Sequence, residues 1–192
     1  ANPGRRPNPR AKAGPRLGRL LLAALLPSLL ALQPAVARQD DRQKPMVVER
    51  ADRFDGFNQP NSVSTMYGNV VVTQGTLKMT GDIVKLYTDA DTQISRVVTT
   101  PAKGKLAHIE QVDDNGNLMT GDADELDYDN INSIATLIGH AVVHQQCRGE
   151  AHGDKLVYNT QTSQIVGQSG GQNVVHLVFL PKNKPGEAPV QP

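Results

Sequence analysis

Residues 67–82 read YGNVVVTQGTLKMTGD, and residues 138–154 read IGHAVVHQQCRGEAHGD, the same pattern with one residue added. In each copy a glycine (Gly68, Gly139) opens a β-branched run, Val70 to Val72 or Ala141 to Val143. A polar break with a glycine follows, and a Gly-Asp pair (Gly81-Asp82, Gly153-Asp154) starts the next run. A third such pair, Gly121-Asp122, lies between the copies after Leu118-Met119-Thr120. Short β-branched runs separated by glycine turns predict hairpins, and a hairpin that returns predicts a repeated all-β architecture.

The surrounding sequence extends this reading. There is no Trp and few rings of any kind, and from Met46 onward no stretch sets apolar residues at helical spacing. About 13 to 16 short strands are expected, the first at Met46 to Arg50 and the last at Val174 to Leu180. Phe54 to Asn61, with Gly56 and Pro60, reads as a loop, and no proline falls between Pro101 and Pro181 to interrupt a ladder. Alternation assigns the faces, because successive side chains of a strand point to opposite sides. Leu77 and Met79 oppose Lys78 and Thr80, Val84 and Leu86 oppose Lys85, Leu126 and Tyr128 oppose Glu125 and Asp127, and Leu156 and Tyr158 oppose Lys155 and Asn159. One face is apolar and one is wet. The apolar set is aliphatic, which suits either a groove or a close-packed core.

The ends differ from the middle. Residues 1–37 carry Arg5, Arg6, Arg10, Lys12, Arg16 and Arg19 with no acidic residue, then the apolar run Leu20 to Leu32, then Ala35-Val36-Ala37. This is the form of a secretory signal peptide, cut after Ala37, and it implies an exported protein; an uncut signal would instead anchor the chain. Arg38 to Lys44 is expected to be a flexible spacer, residues 45–181 the folded domain, and residues 182–192 a disordered tail. Six of the 20 basic residues and none of the 19 acidic ones lie in the leader, so the remainder is near −5. A mildly acidic domain without a basic cluster is a poor nucleic-acid partner. Cys147 is the only cysteine, so no internal disulfide forms, and it reads as a small, part-buried side chain rather than a reactive thiol.

Candidate reactive groups fail on geometry. His140, His144 and Cys147 suggest zinc, but residues four apart on a strand are about 13 Å apart, too far for ligands that must each reach within about 2.3 Å of one ion. Asp122, Asp124, Glu125, Asp127 and Asp129 suggest calcium, but Leu126 and Asp127 stand where a ligand and the central glycine of such a loop belong. These acids read as a solvated strand face. His108, His152 and His176 have no neighbouring Ser, Asp or Cys in a nucleophilic pattern. No catalytic residue, metal or cofactor is expected.

GNVVVTQGTLKMTGD, the Asp114-Asn115-Gly116 turn, the Gly-Asp pairs and the run His152 to Tyr158, HGDKLVY, resemble the OstA-like family of periplasmic lipopolysaccharide transport proteins over residues 45–181. The chain departs from the pattern at Gln145 to Gly149 and at Asp55 to Gln59. The resemblance implies an open β-jelly roll, a folded-over antiparallel sheet whose interior takes lipid A acyl chains. It also implies head-to-tail self-association into a bridge between the inner-membrane lipopolysaccharide export complex and the outer-membrane lipopolysaccharide translocon. Burial of acyl chains is worth about 0.8 kcal/mol per CH₂, so such a groove holds lipid with no catalytic group. Unsealed first and last strands add main-chain pairing to a neighbour.

Positions on apolar strand faces are then candidates for the lipid-binding groove: Met46, Val48, Leu77, Met79, Val84, Leu86, Ile109, Leu126, Tyr128, Leu156 and Tyr158. A charge at Leu126 or Tyr128 is expected to block loading and leave the fold intact. Two rival readings are a membrane-anchored inner-membrane partner of the same fold and a structural β-roll that carries no lipid.

Overall fold

The computed structural model describes residues 40–170 and 174–181. The leader, Arg38, Gln39 and the tail 182–192 lie outside them. One turn of helix, α1 (Asp40–Gln43), precedes twelve strands of a single antiparallel sheet. They are β1 (Met46–Arg50), β2 (Arg53–Asp55), β3 (Val63–Gln74), β4 (Leu77–Thr88), β5 (Ile94–Thr100) and β6 (Ala107–Val112). A second set follows: β7 (Leu118–Ala123), β8 (Glu125–Asp129), β9 (Ile134–Gln145), β10 (Gly149–Asn159), β11 (Ile165–Gln168) and β12 (His176–Phe179).

The two sequence copies are the hairpins β3–β4 and β9–β10, and each is bent in the middle. Gly68 and Asn69 have φ of 81° and 46°, and Gly139 and His140 have 76° and 45°. Both pairs are two residues set against one on the partner strand, Asp82 or Asp154. Such a bulge kinks a strand and sharpens its twist. A side chain at the first position would meet Asp52 at Gly68 or Asp124 at Gly139, which is why glycine opens both copies. The kinks fold the sheet into two leaves. In the first leaf β1, β6, β7 and β12 pair with the halves of the long strands nearest the hairpin tips. In the second, β2, β5, β8 and β11 pair with the other halves. The order thus repeats: a broken strand (β1–β2, β7–β8), two long strands (β3–β4, β9–β10), then two short ones (β5–β6, β11–β12). The repeats join where β5 pairs with β8 and β6 with β7.

Several expectations are corrected here. Among the described residues twelve strands replace about 13 to 16, because the long strands run through their bulges without a break. β2 overlaps the start of the expected loop, since three residues are too few to show alternation. Asp40 to Lys44 is not a flexible spacer. Asp41 is 4% exposed and accepts hydrogen bonds from Thr76 N (3.0 Å), Thr76 Oγ1 (2.6 Å) and Gln111 Nε2 (3.3 Å). Cys147 is exposed in the β9–β10 turn rather than part-buried.

The inward sides of both leaves share one core. Met66, Val84, Val97, Leu126 and Leu137 of the second leaf meet Val72, Met79, Ile109 and Val143 of the first, all nearly inaccessible. Each such side chain contributes about 1.5–3 kcal/mol.

Candidate functional site

The eleven candidate positions all face inward, but the middle of the interior is filled. Leu77, Met79, Val84, Leu86, Ile109, Leu126, Tyr128, Leu156 and Tyr158 are buried core residues packed on one another. Burial raises the Tyr128 phenol above its usual pKa, so it stays neutral. A charge at Leu126 or Tyr128 would therefore sit unpaired in the core and unfold it, against the expectation of an intact fold. Met46 is partly buried and Val48 is 38% exposed. They belong to β1, the edge strand.

The edges are where the interior opens. Among the described residues β1 and β2 pair only with β3, and β11 and β12 only with β10. On β1 and β2 the inward residues Val48 and Phe54 are uncovered, as are Leu177 and Phe179 on β12. A cavity of about 470 Å³ opens at that end, lined by Ala151, Ile165, Leu177 and Phe179 among others.

The internal junction shows what covers such edges. Register places Leu126 where Phe54 lies in the first repeat and Ile109 where Leu177 lies in the second. Within the chain Thr99 of β5 pairs with Leu126, and Ile109 of β6 pairs with Gly121 of β7. Both Leu126 and Ile109 are thereby buried. β1–β2 carry the surface that β7–β8 use, and β11–β12 carry the surface that β5–β6 use. The sequence reading missed Phe54, Leu177 and Phe179. The signal was present outside the hairpins, as Arg53-Phe54-Asp55 against Glu125-Leu126-Asp127 and as Val175-His176-Leu177 against Ala107-His108-Ile109.

The charged cross-strand pairs lie on the outside. Arg96 donates two 2.7 Å hydrogen bonds to Asp127 across β5 and β8. His108 Nδ1 lies 2.9 Å from Asp122 Oδ1 across β6 and β7. His140 Nδ1 lies 2.8 Å from Asp124 Oδ2 at the second kink, and His144 is remote from it on the first leaf. Asp122 and Asp127 thus serve as cross-strand partners at the junction and Asp124 at the kink, while Asp129 accepts from Asn132 in the turn after β8. Among the described residues no three His, Cys, Asp or Glu side chains come together to hold a metal, and no helix is long and apolar enough to cross a membrane.

A bent, edge-open β-jelly roll of two repeats, apolar inside and polar outside, is the class of protein these features define. The family described as LptA/(LptD N-terminal domain) LPS transport protein matches residues 50–164. The chain belongs to that family. It is 31% identical over 177 residues to lipopolysaccharide export system protein LptA of Escherichia coli (strain K12), covering 90% of this chain and 92% of that protein. It is 32% identical over 168 residues to lipopolysaccharide export system protein LptH of Pseudomonas aeruginosa, covering 83% and 92%. The crystal structure of LptH from that organism, described as the LptA-homologous periplasmic component of its lipopolysaccharide transport device, aligns with a TM-score of 0.64 and 28% identity. That alignment covers 73% of this chain and 99% of the LptH chain.

Proposed function

We propose that this protein is a periplasmic lipopolysaccharide-binding transport protein that forms part of a bridge carrying lipopolysaccharide from the inner to the outer membrane, without catalysis. The observation that carries this reading is the matching of its free edges to its own internal junction. β11–β12 of one copy and β2–β1 of the next reproduce the antiparallel pairings β5·β8 and β6·β7. Stacking head to tail in that register covers Phe54 and Leu177, and it continues the apolar interior from copy to copy. The same edges suit partners of this fold in the inner-membrane export complex and the outer-membrane translocon. The interior takes acyl chains, each CH₂ contributing about 0.8 kcal/mol.

The test is a register-specific cross-link. Ile109 pairs with Gly121 inside the chain, and the equivalent pair between copies is Leu177 with Val48. In a Cys147→Ser background, Val48→Cys with Leu177→Cys should give disulfide-linked ladders on oxidation, and either substitution alone should give none. Ladders from the single variants, or none from the double, would contradict the stacking register.

A further inference from the structure

The two leaves are open to each other along the side opposite the kinks, and the repeats close that side differently. In the second repeat the leaves touch directly: Gln145 Nε2, at the tip of the first leaf, donates a 3.1 Å hydrogen bond to Ser163 O at the tip of the second. On one side of this contact the space is about 10 Å³, and on the side toward β12 lies the cavity of about 470 Å³ that Gln145, Ser163 and Ile165 also line. In the first repeat the corresponding residue is Gln74, and its Nε2 donates instead to Lys44 O, just after α1, at 3.2 Å. Here a cavity of about 560 Å³ separates the leaves. Arg42, Gln43 and Lys44 line one part of it and Asp89, Gln93 and Asn130 another, and its apolar lining includes Met46 and Ile94, which pack on the core.

Helix α1 is held across this gap chiefly through Asp41. Its carboxylate takes the two Thr76 hydrogen bonds and the Gln111 bond, all from the first leaf. Gly75 has φ of 63°, and a Cβ there would collide with the Asp41 carboxylate. The turn is shaped to seat this side chain. A four-residue helix has almost no stability of its own, so it stays only while Asp41 does.

We propose that α1 is a removable clasp over a side opening in the first repeat. When Asp41 releases, an acyl chain of an anionic amphipathic lipid passes between Gln74 and Ile94 to reach the core, with Arg42 and Lys44 at the rim to meet its phosphates. Among the described residues the second repeat has no such helix at this place, and its tips are joined directly by Gln145 and Ser163. This rests on the transport reading above and adds to it a place of admission.

The experiment fixes the clasp. A Cβ at Gly75 would lie 3.0 Å from Asp41 Cα, tighter than disulfide spacing, so a small outward shift of α1 brings the pair to disulfide geometry. Cys147 adopts φ of 62° in the turn of the second repeat, a precedent in this chain for a cysteine at the φ of 63° that Gly75 has. The full chain carrying Asp41→Cys, Gly75→Cys and Cys147→Ser is oxidised or reduced and mixed with dye-labelled lipopolysaccharide. The oxidised form should load about tenfold more slowly or worse, and reduction should restore the rate. Separately, Asp41→Ala should load about tenfold faster than the parent, because it lacks the charge-assisted bonds that hold the clasp. Equal loading by oxidised and reduced protein, or an unchanged rate in Asp41→Ala, would overturn the clasp and leave the transport reading standing. Failure of the parent protein to bind labelled lipopolysaccharide at all would overturn both.

Discussion

Leu126 and Phe54 hold the same place in the two repeats, on the inward side of the strand that precedes each long hairpin strand, yet Leu126 is 1% exposed and Phe54 61%. The difference is their neighbour. β5 lies beside Leu126, and no described strand lies on the outer side of β2.

Phe54→Ser should therefore weaken self-association and barely change stability. An exposed side chain makes few contacts to lose, so the fold should shift by no more than about 0.5 kcal/mol. Sedimentation velocity across a concentration series, with urea denaturation alongside, reads both quantities. Unchanged association would contradict the role given to this edge.

Leu126→Ala should do the reverse. Removing a buried leucine in contact with both leaves costs about 2–5 kcal/mol, and Leu126→Asp should leave too little stability to fold. Urea midpoints decide it. A Leu126→Asp protein with a cooperative transition near the parent's would mean that the interior is looser than the packing around Leu137 and Ile109 shows.

Much of this fold was legible because its repeat sits in the strongest local signals, the glycine before each β-branched run. Alternation correctly turned Leu77, Val84, Leu126 and Leu156 inward. It could not tell a groove from a core, since the pattern is the same whether an inward face meets lipid or the other leaf. The open positions were hidden for a related reason. Phe54 lies in a strand of three residues, and Leu177 differs from Ile109 only in whether a further strand follows in space. Asp41 was missed because its partners, Thr76 and Gln111, are distant in sequence, and a polar heptapeptide gives no sign of docking.

Acid should destabilise the protein. Glu110 is held below the usual carboxylate range, chiefly by the hydrogen bond from Lys78, with His108 adding to it against the effect of burial. At Asp113 burial alone would raise the pKa, but the backbone and side chain of Asn117, the Asn115 N–H and the Arg148 charge outweigh it, and the net shift is downward. Asp129 is likewise opposed by burial and lowered on balance by Asn132, Ile131 and Arg42. A group whose pKa falls on folding adds stability that is complete above its unfolded value, about 4, and is lost as pH falls through the folded value. Urea midpoints should hold steady near neutrality and drop below about pH 4, and Asp113→Asn should flatten part of that drop. An Asp113→Asn profile parallel to the parent's would remove Asp113 from the account.

In the proposed bridge, lipid runs along the inward face and out through the uncovered edge. A photoreactive amino acid placed at Leu177, inward and half exposed at the open end, should cross-link to lipopolysaccharide in living cells. The same probe at His144, on the outward side of the first leaf, should not. Cross-links at His144 equal to those at Leu177, or none at Leu177, would contradict it.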